Sequence, residues 1–328
     1  MFVSVIICTY GRPVTLAAVL DCLVSQTYPD IEVLVVDGNE SQVLSRAAVE
    51  ALVSEMRARG PIRMICSNRG LTRQRNAGMR ESRGDLVVFL DDDVTFDQKF
   101  IAQTVELFKR PDMTQVGGIT GYDELTYGGP LAVRWRIRKF FGAIPSLRPG
   151  EIDRLGRAVP VSFVKPFSGF KKVGWLAGFC MIYRRAAVDG LEFDECLPTY
   201  GGEDRDFSLQ VGRRWKLLLC GDLRLKHHGS PESRDSEVYR MLQNSFGAGR
   251  RFGKVARGFP DYCVIARTLL GDLVVDLLSF LSHPSRNRFL IPFARIRGLI
   301  QGIRSVRGCV AMSWDSDSSG RNRVVANG

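Results

Sequence analysis

GDLVVFLDDD, residues 84–93, decides how the rest of this 328-residue chain is read. Leu86 to Leu90 are five consecutive apolar residues. That is too short for a helix standing alone and too uniformly apolar for a strand with one wet face, so the run predicts a central strand buried on both sides. Asp91, Asp92 and Asp93 follow at once. Three carboxylates at one strand end are costly unless a cation neutralises them. Hard oxygen ligands packed this tightly suit Mn²⁺ or Mg²⁺, ions that normally arrive with substrate phosphates. The plainer reading is an acidic turn that caps the next helix, and the surroundings of the triplet weigh against it.

Three more apolar runs precede this strand: Phe2–Cys8, Ile31–Asp37 and Ile62–Cys66. Between them lie segments with helical patterning. Pro13 suits a first helical turn, with Val14, Ala17, Leu20 and Leu23 as a stripe behind it; Ser41 can cap a second helix with Leu44, Ala48, Ala51 and Leu52 as its apolar face. A β-α-β-α alternation predicts a Rossmann-like α/β fold, a mostly parallel sheet with helices on both faces and ligands at the carboxyl ends of the strands. Those ends are polar throughout: Thr9-Tyr10-Gly11-Arg12, Asp37-Gly38-Asn39, Asn68-Arg69-Gly70 and the aspartate triplet.

Five motifs occur in order: VSVIICTYGRP (3–13), VLVVDGNE (33–40), RGLTRQRNAGMRESRGDLVVFLDDDV (69–94), GWLAGFCMIYRR (174–185) and YGGEDRDFSLQVGRRW (200–215). Together they resemble the family 2 glycosyltransferases, which have the GT-A fold. Each motif alone is weak, and the ordered set, covering roughly residues 2–230, is strong. The resemblance implies that Thr9, Tyr10, Arg12 and Asp37 line the nucleotide pocket and that Arg75 lies near the base or diphosphate. It also implies that Asp91 and Asp93 form the metal-linked DxD pair, with Asp92 beside the donor. The physics agrees, because a sugar nucleotide needs a carboxylate for its polar edges and a divalent ion for its phosphates. Arg73 is read as a solvated helix face and Arg75 as the functional arginine.

Glu203 and Asp204 could simply favour a helix start. Gly201 and Gly202 before them let backbone approach a ligand, and two adjacent carboxylates near a metal site can divide the work of a general base and a hydrogen-bonding partner. The resemblance places the base of an inverting transfer on Asp204 and acceptor contacts on Trp175, Glu203 and Asp206. It also implies a histidine that completes the metal shell. His227 and His228 are both candidates, His227 being favoured, since imidazole suits Mn²⁺ alongside carboxylates.

The charge is uneven. Residues 1–120 carry 13 Lys/Arg against 15 Asp/Glu, whereas residues 240–328 carry 14 against 5. Residues 122–172 are rich in glycine and proline, with Arg134, Trp135, Arg136, Arg138 and Lys139 interleaved, and read as a long excursion over the acceptor side. Aromatic and basic residues together can bind nucleic acid, but no nucleic-acid module is recognisable, so that partner is not expected. Tyr262–Leu281 is apolar but broken by Arg267, Asp272 and Asp276, which argues against a transmembrane span. Phe293, Ile296, Ile300 and Ile303 make a helical stripe among arginines, which suits either an anionic membrane surface or packing on the core. Gly247, Gly249 and Gly253 do not have phosphate-loop spacing.

Eight cysteines scattered singly predict free thiols in a reducing cytoplasm. An apolar run directly after Met1 that stops at Cys8 predicts neither a signal peptide nor an opening membrane span. The expected organisation is a catalytic domain over 1–243, split into a nucleotide-sugar half (1–120) and an acceptor half (121–243). A basic amphipathic helical extension follows over 244–312, then a disordered tail over 313–328. The expected function is a metal-dependent, inverting transfer from a nucleoside-diphosphate sugar, expected to be UDP-linked, to a saccharide or lipid-linked saccharide. Such an enzyme is expected in the cytoplasm, with peripheral attachment to the inner membrane face. The rivals are a sugar-nucleotide nucleotidyltransferase, whose glycine- and arginine-rich loop CTYGRP imitates poorly, and a basic adaptor, which has no need of DDD and GGED in one chain.

Overall fold

The structure is a computed structural model that describes residues 1–38, 43–129, 133–145, 148–197, 201–230, 235–306, 313–316 and 322–325. The first half alternates as expected: β1 (Val3–Thr9), α1 (Pro13–Val24), β2 (Ile31–Asp37), α2 (Val43–Arg57), β3 (Ile62–Cys66), α3 (Leu71–Glu81) and β4 (Leu86–Asp91). Then come β5 (Val94–Phe96), α4 (Phe100–Lys109), β6 (Val116–Asp123), α5 (Val133–Phe140), β7 (Phe170–Val173), β8 (Cys180–Arg184), α6 (Arg185–Val188), α7 (Glu203–Val211) and β9 (Lys216–His227). Three long helices follow, α8 (Glu237–Val255), α9 (Phe259–Ser282) and α10 (Arg286–Arg304). Last, β10 (Ser313–Ser316) and β11 (Asn322–Val325) pair with each other alone. The rest of the expected disordered tail lies outside the described residues.

Strands run in the order β3-β2-β1-β4-β8-β6-β9-β5, with β7 on β9. The first four are parallel; β8 then enters antiparallel to β4 and β6. Leu86 to Leu90 are all buried, as a strand covered on both faces requires. Val3, Val5 and Ile7 point into one core layer with α1, α2 and α4, while Ile6, Val87 and Phe89 point into the other, where Phe207 and Val211 of α7 pack.

The apolar stripes expected on the first two helices are displaced. In α1 the buried set is Leu16, Val19, Leu20 and Leu23, an i, i+3, i+4, i+7 face, and Val14, on the opposite side, is 74% exposed. In α2, Val49, Val53 and Met56 are buried, whereas Ala48 and Ala51 are exposed. Ser41 and Asn39 lie outside the described residues. The excursion over 122–172 contains one unforeseen helix, α5, and a bridge between Ile152 and Ala158.

The expected boundary at 243/244 falls inside α8. This helix packs on α10 through glycines: a methyl at Gly298 would meet Leu242 O, one at Gly302 would meet Phe246 O, and one at Gly249 would meet Leu299 O. One expectation is corrected outright. Cys196 is disulfide-bonded, which single-residue spacing could not show, because pairing depends on which segments the fold brings together. Cys8, Cys22, Cys66, Cys180, Cys220 and Cys263 are free thiols. No helix among the described residues is long and apolar enough to cross a membrane.

Candidate active site

The carboxyl ends of β1 and β4 open into a cleft of about 660 Å³, closed on its other sides by the Trp175–Phe179 turn, the start of α7 and residues of α8. Of the residues expected there, Thr9, Tyr10, Arg12, Arg75, Asp91, Asp92, Asp93, Trp175, Glu203, Asp204 and His227 line it together. Asp37 sits buried at the end of β2, in register with Thr9 and Cys66, and does not line the cleft.

The three aspartates do different things. Asp92 points back into the protein, accepting hydrogen bonds from Thr9 Oγ1 at 2.8 Å and Arg12 Nη1 at 2.7 Å, so it fastens the loop after β1 to the end of β4. Burial pushes its carboxyl up to about 6 despite Arg12. Asp91 and Asp93 face His227, and one ligand atom from each of the three lies within 4.8 Å of the others. The topology explains this meeting: β5 leaves the triplet directly and pairs antiparallel with the end of β9, putting Val94 opposite His227.

The ring of His227 stacks on Phe179 with centroids 5.0 Å apart, and its Nε2 lies 3.2 Å from Asp93 Oδ1 and 3.9 Å from Asp91 Oδ2. Asp93 Oδ1 is buried and, among the described residues, accepts no well-aligned hydrogen bond. An orphaned carboxylate oxygen beside an imidazole nitrogen and a second carboxylate is a donor set that fits Mn²⁺ or Mg²⁺. Burial alone would lower the His227 pKa, but Asp93 and Asp91 hold it above the usual imidazole value. Burial alone would likewise raise Asp93, and His227 and the Ser230 N–H bring it below the usual carboxylate range. His228 turns away, its Nε2 2.8 Å from Thr95 Oγ1, and is not part of the cluster.

Arg75 joins this edge to the GGED segment. Its guanidinium, only 2% exposed, donates to Glu203 Oε1 at 2.9 Å and Gly178 O at 3.0 Å and lies 3.5 Å from Asp91 Oδ1. It is therefore a bridge between carboxylates within the cleft where a position near the base or diphosphate was expected. Arg73, by contrast, lies at the surface 3.8 Å from Glu195. Glu203 is committed to Arg75, and burial, with Asp204 beside it, pushes its carboxyl up to about 7. Asp204 stays open to the cleft; Gly178 N–H donates to its Oδ2 at 3.3 Å and Arg205 N–H to its Oδ1 at 2.8 Å. Asp206 does not reach the cleft: it is buried and paired with Lys254 at 3.0 Å, which leaves it no acceptor contact. Gly202 has φ 71°, a left-handed conformation that only glycine adopts without strain, and this turns α7 to present Asp204.

Sequence reasoning missed Arg205, Arg240 and Asn244, which also line the cleft. Arg205 stands 5.9 Å over the Trp175 ring, and its place inside GGEDRD was the available signal. Arg240 and Asn244 belong to α8, beyond every quoted motif. That helix also grips the GGED turn. Arg251, buried, donates to Gly201 O and, at 3.1 Å, to Gly202 O; burial and then the Arg205 charge bring its pKa down to about 9.

Comparison with known proteins agrees with this architecture. Succinoglycan biosynthesis protein ExoM of Rhizobium meliloti is 26% identical over 323 residues, covering 94% of each chain. Glucosyl-dolichyl phosphate glucuronosyltransferase of Haloferax volcanii is 32% identical over 124 residues, 36% of this chain and 38% of that protein. Among solved structures, the mannosyltransferase PcManGT from Pyrobaculum calidifontis in complex with GDP-Man and Mn²⁺ superposes with a TM-score of 0.55 at 14% identity, over 92% of this chain and 86% of that one. GalNAc-T7 with UDP, GalNAc and Mn²⁺ superposes at 0.54 with 16% identity, over 76% of this chain and 48% of that one. These likenesses are of fold, the GT-A fold with a helical extension. Residues 4–191 match Glycosyl transferase family 2, more than half of the chain, and so the chain belongs to that family and is a glycosyltransferase.

Proposed function

We propose that this enzyme moves a sugar, with inversion, from a nucleoside-diphosphate sugar to a hydroxyl of a saccharide or lipid-linked saccharide. The observation that carries the reading is the pairing, in one cleft, of the Asp91–Asp93–His227 cluster with the open carboxylate of Asp204, spanned by Arg75. A divalent ion held by those three residues would neutralise the diphosphate as it leaves. The chain's own residues do the rest. Tyr10, with Arg69 stacked 4.4 Å above its ring, supplies an aromatic platform at the nucleotide end. Trp175 offers an apolar face to the acceptor sugar, and its buried indole N–H, which has no partner among the described residues, is available to hydrogen-bond that sugar. Asp204 takes the proton from the attacking hydroxyl. Arg75 keeps Glu203 from competing for that proton and fixes Gly178, whose N–H orients Asp204.

The donor is proposed to be UDP-linked, on the family resemblance. That a relative matching over nearly its whole length is named for succinoglycan biosynthesis supports an acceptor belonging to a cell-surface polysaccharide or its lipid-linked precursor. We propose a cytoplasmic location for this enzyme. Calorimetry of UDP with and without Mn²⁺ tests the core of this reading. Wild type should bind UDP more tightly with the ion, and Asp93→Ala should abolish the difference. An unchanged ion-dependent gain in the variant would remove Asp93 from the metal site. Screening nucleotide sugars for Mn²⁺-dependent hydrolysis then names the donor.

A further inference from the structure

Of the stripe expected to dip into a membrane or to pack on the core, Phe293, Ile296 and Ile300 face outward, while Ile303 is half-buried in the contact with α8. On α10 the side packed against α8 is built from Ile291, Ala294, Gly298, Leu299 and Gly302, while Phe289, Phe293, Ile296 and Ile300 lie on the opposite, exposed side. Helix α9 repeats the pattern. Phe259, Tyr262, Leu270, Leu277 and Leu281 fall within one face and are exposed, Phe259 at 80% and Leu281 at 63%. At the hairpin tip the two faces join through Phe280, Phe289 and Phe293, with ring centroids 5.9 and 5.6 Å apart.

A third element extends this surface to the cleft. Helix α5 has no buried residue, yet it is fixed alongside α9 by Arg138, 2.6 Å from Asp272, and by Phe141 beside Gly271. Its Trp135 lines the cleft, and its Phe140 is 84% exposed. Exposed cations flank the apolar residues: Arg134, Arg136 and Lys139 on α5, Arg267 on α9, Arg286 and Arg297 on α10. Arg295 of α10, in contrast, is buried and committed to Asp272 and Asp276. So the region's acidic groups are turned inward and its free charge outward is positive.

We propose that the exposed faces of α5, α9 and α10 form one docking surface for an anionic lipid bilayer, seated so that Trp135 brings the cleft mouth to headgroup level. An apolar patch this extended, ringed by arginine, complements a bilayer whose acyl boundary takes the phenylalanines and leucines and whose phosphates take the guanidinium groups. A second copy of the chain would carry the same positive charge on the facing surface. The proposal rests on the transferase reading only for the acceptor it would deliver, since vesicle binding is measured without donor or metal. Failure of one therefore leaves the other standing.

The test is cosedimentation of the full chain with vesicles of phosphatidylcholine and phosphatidylglycerol, run beside light scattering for oligomeric state. Wild type should be monomeric without lipid and bind anionic vesicles in a salt-sensitive way. Leu281→Asp with Phe293→Asp should weaken binding by roughly tenfold or more, with UDP–Mn²⁺ affinity unchanged. Charge reversal by Arg286→Glu with Arg297→Glu touches only exposed side chains and should act similarly, covering the case in which the aspartate pair fails to fold. Absence of wild-type binding to anionic vesicles, or equal binding by wild type and both variants, overturns the proposal. So does a wild-type dimer that these substitutions convert to monomer, which would make a second copy the occupant.

Discussion

Asp204 and Asp206 lie two residues apart in one helix turn, and the structure gives them opposite duties that one pair of substitutions separates. Asp204→Asn keeps the side chain's size and one acceptor oxygen. That oxygen can serve the Arg205 N–H at 2.8 Å, and what is lost is the longer 3.3 Å contact from Gly178. The fold should therefore give up about 1 kcal/mol or less. The proton acceptor, however, is gone, and transfer should fall by about 10²–10⁴-fold, roughly 3–5 kcal/mol of barrier. Asp206→Asn reverses the pattern. It removes the charge of a buried carboxylate beside Lys254, an exposed residue that retains Asp194 at 2.8 Å, so stability should fall by about 1 kcal/mol while kcat stays within about twofold. The assay is transfer at saturating donor together with urea unfolding of both variants. If Asp204→Asn stays within about threefold of wild type, or if Asp206→Asn is the variant that loses turnover, the base is not Asp204.

Three further outcomes follow from the same geometry. Asp92 holds its proton up to about 6 in the folded protein against 3.8 ordinarily. Its contribution in metal-free protein is thus fully present below the unfolded value and lost as pH rises through about 6, and Asp92→Asn should flatten that fall in a melting series. Asp93 and Asp91 raise the His227 pKa above the usual imidazole value, so Mn²⁺ affinity should weaken as pH falls through that raised value, by at most about tenfold per pH unit for the one proton displaced, and calorimetry across pH should show it. Gly247 of α8 runs so close to the GGED turn that an added methyl would collide with Gly201 O; Gly247→Ala should lower both the melting temperature and kcat while leaving UDP–Mn²⁺ binding near wild type.

The sequence was most legible where the chemistry was repetitive. β2 and β3 have the expected bounds and β1 and β4 differ by a residue or so at their ends, because apolar and β-branched residues dominate each segment and a polar turn closes it. The helix faces were harder. On α10 three of the four stripe residues faced outward, and the packed face set Ala294, Gly298 and Gly302 among Ile291 and Leu299, the small residues contributing closeness of approach where apolar area was expected. Asp91, Asp93 and His227 were found because each lies at or just past the end of a strand, and Asp204 because it opens a helix behind a pair of glycines. The choice between His227 and His228 needed the β5–β9 pairing, and the committed state of Glu203 and Asp206 needed partners, Arg75 and Lys254, 128 and 48 positions away. No spacing rule reaches that far.

The glycine contacts between α8 and α10 bear on how this enzyme could be re-engineered. Because α8 meets the GGED turn on one side and α10 on the other at backbone distance, no severable seam exists between the catalytic turn and the terminal helices. Chimeras that aim to trade acceptor preference with a relative should exchange the stretch from the glycine pair through α10 as a single cassette. A crossover placed between the GGED turn and α8 would set one parent's turn against the other's helix, and every later attempt at altered specificity would inherit that mismatch.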